Sequence, residues 1–236
     1  MEFLPNGLTL ELCSGAFPLS TDSMVLSHFV RLPKKARVLD LGAGCGTLGL
    51  LLCATQSSCT VTGLELDPEA HTCALNNIQR NNLDIRMESI CADLRFLPTE
   101  FTGRFDCCVS NPPYFSGGPA ATRTPLARRD DCCTPAELFA TASRALKFGG
   151  DFFLVHKPER LAELICRGAE TGLEAKRLLL VRHRENGPIG FICLQFRKGG
   201  KPGLIIEEEH LFDMQNQPTD FHQRVYHTSS LSTQEV

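Results

Sequence analysis

The feature that most restricts this chain is a strand, glycine loop, helix and strand in succession between residues 37 and 65. Arg37-Val38-Leu39-Asp40-Leu41 reads as a strand, Gly42-Ala43-Gly44-Cys45-Gly46-Thr47 as a tight loop, and 48–55 as the opening of a helix. Residues 59–65 read as a second strand, after which Asp67-Pro68 opens another helix. This is the βαβ unit of an open α/β sheet. Its loop lies where such sheets take a nucleotide-like ligand, because glycine permits the sharp turn and lets the backbone approach closely.

The loop narrows the ligand. It is G-x-G-x-G, whereas a pyrophosphate wants G-x-G-x-x-G. Asp40 stands just before the glycines, and a carboxylate repels dinucleotide phosphates in a low-dielectric crevice. An acid there suits a cofactor with a cationic end. S-adenosylmethionine, with a sulfonium, an ammonium and no phosphate, fits that description. Glu65 closes the second strand, at the distance expected of an acid gripping two ribose hydroxyls. A third strand over 85–91 ends in Ala92-Asp93-Leu94. Alone, Asp93 is a polar strand terminus. In register with Asp40 and Glu65 it reads as the third wall of a cofactor pocket, able to accept from an adenine amino group.

A second constraint is Ser110-Asn111-Pro112-Pro113-Tyr114, which follows the apolar run 105–109. Two prolines stop a strand at once, and Pro112 holds Asn111 extended. A bare Asn-Pro-Pro is commonly no more than a turn. With Tyr114 behind it and a glycine loop upstream, it becomes a stiff elbow at the ligand edge of the sheet. An amide oxygen and a backbone carbonyl there can accept hydrogen bonds from a flat amino group, while the ring stacks on the plane carrying it. That suits the exocyclic amine of a base.

The rest of the chain is read around these two points. Residues 8–12 form a hairpin-like lead-in. Thr21 or Asp22 can cap a helix over 23–30, either as a plain cap or as a lid whose polar residues touch a ligand. Residues 115–134 form a long loop, and loops of this length are usually functional or mobile. Its Arg123, Arg128 and Arg129 make a candidate phosphate-gripping flap. Helices over 136–146 and 159–170 flank a strand at 151–156, and strands over 173–182 and 189–196 should pair antiparallel across a short turn. Arg177, Arg182, Arg184, Arg197, Lys198 and Lys201 cluster near that hairpin, as a second phosphate surface or as a solvated rim. The expected divisions are a lead-in and lid helix at 1–35, a catalytic domain at 36–207, and a frayed polar tail at 208–236.

A chain of 236 residues suits one such domain. The net charge of -3 does not announce a nucleic-acid partner, so any phosphate contact must come from a local basic patch. Twelve cysteines are spread along the chain with no C-x-x-C, and Cys45, Cys53, Cys73 and Cys193 lie in apolar or helical patterns, so reduced thiols in a cytoplasmic protein and no metal are expected. No apolar run reaches the ~18 residues of a membrane span.

Val38-Leu39-Asp40-Leu41-Gly42-Ala43-Gly44-Cys45-Gly46, with Glu65, Asp93 and Asn111-Pro112-Pro113-Tyr114, resembles the ordered motif set of class I S-adenosylmethionine-dependent methyltransferases acting on amino nitrogens. Ser20-Thr21-Asp22-Ser23-Met24-Val25-Leu26 ahead of the glycine loop, and Lys198-Gly199-Gly200-Lys201-Pro202-Gly203-Leu204 after the last strand, are similar to segments of one bacterial family. That family N6-methylates an adenosine next to the anticodon of valine tRNA.

The resemblance implies a Rossmann-like sheet of seven strands with helices on both faces and the last strand antiparallel, in agreement with the strands counted above. It implies S-adenosyl-L-methionine as cofactor and tRNA as partner, with no membrane; the sequence leaves the oligomeric state open, a monomer being slightly favoured. By motif position, Gly42 and Gly44 lie against the methionine part of the cofactor with Asp40 nearby. Glu65 with Leu66 meets the ribose, Asp93 with Leu94 the adenine, and Thr21 and Asp22 close the site. Asn111 and the Pro112 carbonyl hold the target amine beside the cofactor, with Pro113 and Tyr114 against the base.

Two other readings share the elbow or the pocket. A release-factor glutamine methyltransferase usually carries a helical domain ahead of the glycine loop, where this chain has only about 35 residues. A catalytically silent cofactor-binding protein in translation has no need of residues 111–114.

Overall fold

The structure is a computed structural model and describes residues 1–13, 19–112 and 133–226. Pro113, Tyr114, Arg123, Arg128 and Arg129 lie outside the described residues, as do 227–236 of the expected tail.

The chain opens with a small hairpin, β1 (Glu2–Phe3) against β2 (Thr9–Leu10). Helix α1 (Thr21–Phe29) follows. The sequence predicts its cap at Thr21 or Asp22; the cap is Ser20, whose Oγ accepts the Ser23 N–H at 3.2 Å. An acceptor three residues ahead of an orphan amide is what an N-cap requires, and Ser20 meets that spacing.

Strand β3 (Arg37–Leu41), helix α2 (Thr47–Thr55) and strand β4 (Thr60–Glu65) are the predicted βαβ unit. Helix α3 (Pro68–Arg80) starts on an Asp67 cap with Pro68 in its first turn, where a missing N–H costs nothing. Then come β5 (Met87–Cys91), β6 (Phe105–Ser110), α4 (Pro135–Ala145), β7 (Leu146–His156), α5 (Leu161–Glu170), β8 (Leu173–Arg184) and β9 (Ile189–Lys198). Thr134 and Glu137 form a reciprocal capping box at the start of α4.

Eight strands make one sheet in the order β10, β8, β9, β7, β6, β3, β4, β5, where β10 is Ile205–Phe212. Only β9 runs against the others. The seven strands β3 to β9 match the expected sheet and its antiparallel member. The eighth was not expected: from residue 208 the sequence predicts a frayed tail, and instead the chain forms β10 and helix α6 (Asp220–Tyr226). Glu207, Glu208 and Glu209 hide the strand from a periodicity test, because an edge strand needs little apolar alternation. Ion pairs to Arg177 at 2.8 Å, Arg182 at 2.5 Å and Arg224 at 3.1 Å hold the three carboxylates.

Two cores sandwich the sheet. Val38, Cys107, Val109, Phe153, Val155 and Cys193 face α1, α2, α3 and α6. Leu39, Leu41, Cys108, Phe152, Leu154 and Phe196 face α4 and α5. Period-two alternation along each strand sends successive side chains to opposite cores. It therefore puts Asp40, two residues after Val38, on the α1 and α2 side. All eleven cysteines among the described residues are free, most of them buried.

Candidate active site

The parallel strands deliver their C-terminal ends to one edge, where Asp40, Gly42, Gly44, Glu65, Asp93 and Asn111 gather. Leu41 ends β3 beside Leu64 of β4, and the N–H groups of Gly42 and Ala43 both donate to the Leu64 carbonyl, at 3.0 and 2.9 Å. This folds the glycine loop back across β4. Gly63 makes room for it, since a Cβ there would stand 2.9 Å from that of Ala43. Gly42, Gly44 and Gly46 all have left-handed φ, at 75°, 56° and 85°. A side chain on Gly42 or Gly44 would meet nothing within 4 Å. The loop thus presents bare backbone to open space, which is what a cradle for a ligand needs.

Asp40 is 1% exposed, and neither carboxylate oxygen makes a hydrogen bond of normal geometry. Burial, then the nearby Glu65 carboxylate, push its pKa up to about 7, and the Gly49 N–H offsets this only in part. A raised folded-state pKa means that ionised Asp40 opposes folding, increasingly from pH 3.8 to about 7 and fully above. A buried carboxylate with no hydrogen bond of normal geometry is the arrangement that a bound cation relieves.

Glu65 is already engaged. Its Oε2 accepts the Gly44 N–H at 2.7 Å and its Oε1 the Asp67 N–H at 2.8 Å, so one carboxylate clips the glycine loop to the start of α3. Leu66 beside it is 44% exposed. Asp93 caps the turn at Leu94–Phe96, accepting from the Arg95 N–H at 2.9 Å, and its oxygens also take the Arg95 guanidinium at 2.6 to 3.0 Å. Arg95 holds Asp93 below the usual carboxylate range. The Leu94 carbonyl accepts the Thr141 hydroxyl, tying this wall to α4.

Across the edge, the Ser110 hydroxyl donates to the Leu41 carbonyl at 2.7 Å, locking the end of β6 to the end of β3. The elbow therefore begins next to the glycine loop. Asn111 follows, half-buried, and its Nδ2 donates to Ser23 Oγ of α1 at 2.9 Å. Pro112 is buried. Thr21, two residues before Ser23, accepts from the Tyr226 hydroxyl of α6 at 3.0 Å. Asp22 is pushed up by burial, with Lys157 pulling the other way.

Two contributors escaped the sequence. Ser23 is one. Asn77 is the other: fully buried on α3, it accepts the Glu11 N–H at 2.9 Å and donates to the carbonyls of Glu11 at 2.8 Å and Cys45 at 3.0 Å. It joins the lead-in, the glycine loop and α3. Its signal was present, since Ala70, Ala74 and Asn77 share the buried stripe of an amphipathic helix, and an amide there needs partners.

The basic cluster expected at the hairpin is divided. Arg182 and Arg184 end β8 at the site edge, while Arg197, Lys198 and Lys201 lie at the far end of the antiparallel pair. Nine residue pairs separate the two ends by roughly 30 Å. Arg197 pairs with Asp151 at 2.9 Å, and Lys198 Nζ donates to the Ser143 and Leu146 carbonyls at 2.6 and 2.8 Å. Those two hold the fold together and do not form a surface with Arg182.

Among the described residues, no group of three or more His, Cys, Asp or Glu could hold a metal ion. No helix among them is long and apolar enough to cross a membrane.

Comparison with known proteins places this geometry. Residues 19–167 match the model of the methyltransferase small domain. A tRNA1(Val) (adenine(37)-N6)-methyltransferase of Bacteroides fragilis is 32% identical over 177 residues, 73% of this chain and 74% of that protein. The protein of the same name from Cronobacter sakazakii is 34% identical over 64% of this chain and 63% of its own. Among solved structures, a predicted O-methyltransferase of Agrobacterium tumefaciens superposes with a TM-score of 0.74 at 20% identity, covering 92% of this chain and 100% of that one. TYW2 of P. horikoshii in complex with MeSAdo gives 0.58 at 18% identity, over 84% and 70%.

Proposed function

The chain belongs to the methyltransferase small domain family, and from that premise we propose that it uses S-adenosyl-L-methionine to methylate N6 of an adenine in tRNA, the adenosine next to the anticodon of valine tRNA. The observation that carries this reading is the elbow amide. Asn111 spends its NH2 on Ser23 and so has its carbonyl oxygen left to receive an amine.

The residues present fit the cofactor. The buried Asp40 carboxylate, with no hydrogen bond of normal geometry, supplies negative charge beside a loop where side chains on Gly42 and Gly44 would face open space. Bound S-adenosylmethionine supplies a methyl carbon made electrophilic by its sulfonium. Gly42 and Gly44 would hold the methionine part. Glu65 would take the ribose hydroxyls with Leu66 alongside, and Asp93 with Leu94 would take the adenine. Thr21 would close over the pocket.

The chain's work on the acceptor is positioning. An adenine amine is a poor nucleophile because its lone pair is delocalised into the ring. Asn111 Oδ1 and the Pro112 carbonyl, each accepting one of its hydrogens, favour a pyramidal nitrogen with its lone pair free. Asn111 is not a general base, because an amide takes no proton at useful pH. It orients the amine and stabilises the positive charge that develops on nitrogen. Tyr114, with Pro113, stacks on the base, which must leave its own stack and does so most easily in a loop. Arg123, Arg128 and Arg129 grip phosphates next to the elbow. The enzyme acts in the cytoplasm.

The test is methyl transfer from labelled S-adenosylmethionine to three pools: bulk tRNA lacking the modification, ribosomal RNA, and release-factor protein. The expected result is label in tRNA, recovered as N6-methyladenosine. Label in the protein pool alone would overturn the RNA assignment. Neutralising Arg123, Arg128 and Arg129 together should weaken tRNA binding and flatten its salt dependence; an unchanged slope would remove them from the interface.

A further inference from the structure

We infer that Ser23 is a positioning residue for methyl transfer: its hydroxyl fixes which end of the Asn111 amide meets the target amine. The inference rests on the proposed role of the elbow.

A primary amide has two faces of opposite polarity. Rotated by half a turn, Asn111 would present NH2 to the amine, donor against donor, and the acceptor it owes the reaction would be lost. The prolines fix the backbone and do not by themselves fix the turn of the amide. Ser23 supplies the missing constraint. Its Oγ lies 2.9 Å from Asn111 Nδ2 and accepts from it.

The hydroxyl is prepared for that task by the helix cap. Ser20 Oγ accepts the Ser23 backbone N–H at 3.2 Å and donates its own proton to Ser23 Oγ at 3.3 Å. A proton arriving from Ser20 favours Ser23 Oγ as an acceptor toward Asn111. Ser23 is 6% exposed, so water does not compete for the position. The relay runs from the cap of α1 through Ser23 to Asn111, across 88 residues of sequence. Burial explains why Ser23 is small, and the relay explains why it is polar where its neighbours Met24, Val25 and Leu26 are apolar.

The experiment has two arms. In the first, Ser23→Ala, Ser23→Thr, Asn111→Ala and the Ser23→Ala/Asn111→Ala double variant are assayed on bulk tRNA lacking the modification. Ser23→Ala should lower kcat by about ten- to a hundredfold, with KM for tRNA and Kd for cofactor within about threefold. Ser23→Thr, which keeps the hydroxyl, should recover most of the loss. In the double variant, Ser23→Ala should add nothing to Asn111→Ala. A kcat within twofold of wild type for Ser23→Ala overturns the inference. So does an undiminished loss in the double variant, which would trace the effect to α1 itself.

The second arm needs no substrate. The Asn111 side-chain amide resonances, assigned by their disappearance in Asn111→Ala, should move in Ser23→Ala while other side-chain amides stay in place. If they stay put, the contact is not made in solution and the inference falls. If Asn111→Ala retains wild-type turnover, the elbow reading fails and takes this one with it. If wild type labels no tRNA, the substrate reading alone fails, and the resonances still decide the contact.

Discussion

The two halves of the site are built differently. The proposed cofactor half is local: Asp40, the glycine loop and Glu65 come from one βαβ unit, joined by hydrogen bonds such as Gly44 to Glu65 over 21 residues. The proposed amine half is assembled from afar. Asn111 meets Ser23 over 88 residues, and Thr21 meets Tyr226 over 205. Charge differs too. The proposed cofactor half holds a buried carboxylate with no hydrogen bond of normal geometry, whereas the contacts that join Asn111 to Ser23 and Thr21 to Tyr226 are between neutral groups. A neutral amide can orient an amine without protonating or binding it tightly, while a buried acid draws in a cation.

If the halves are separable, variants should sort cleanly between them. The largest effect should come from Asn111→Ala, with kcat falling about a hundred- to a thousandfold while cofactor affinity by calorimetry moves less than threefold. A matching loss of cofactor affinity would show that the halves share this residue. Glu65→Ala should weaken cofactor binding by about ten- to a hundredfold, as two charge-assisted hydrogen bonds to the loop and α3 are also lost. The KM for tRNA should hold, and unchanged cofactor affinity would take Glu65 off the ribose.

The Asp40 prediction concerns pH. Its pKa near 7 in the free protein leaves it largely protonated at pH 6, and a cationic ligand binds the ionised form. Cofactor Kd should therefore rise about tenfold from pH 8 to pH 6. In Asp40→Asn the affinity should be weak at both, and a wild-type Kd that is flat over this range would separate Asp40 from the cofactor's charge. The smallest effect should come from Tyr226→Phe, which removes one hydrogen bond to α1. It should cost about 1 kcal/mol of stability and two- to threefold in kcat, leaving cofactor affinity alone. Loss of cofactor affinity instead would attach α6 to the other half.

This division also explains what could be read from the chain. Glycines before a helix, acids at strand ends and prolines after a strand are short-range signals, and they located Asp40, Gly42, Gly44, Glu65, Asp93 and Asn111 on one edge. Position did not reveal engagement, since Asp93 is bound by Arg95 and Glu65 by two backbone amides. The basic residues of the β8 and β9 hairpin looked like one patch because they are near in sequence. Strands of ten residues carry them to opposite edges.

By itself the sequence determined the parallel βαβ core, the order of its motifs and the chemistry of the cofactor end, because periodicity and turn residues act over a few positions. Tertiary structure alone decided that Ser23 holds Asn111, that Asn77 clamps the glycine loop, and that 208–226 join a strand and a helix instead of a tail. Each of these rests on a partner far along the chain, a hydroxyl, an amide or an arginine, whose pairing leaves no periodic trace. The sheet brings them together by gathering distant strand ends onto a single edge.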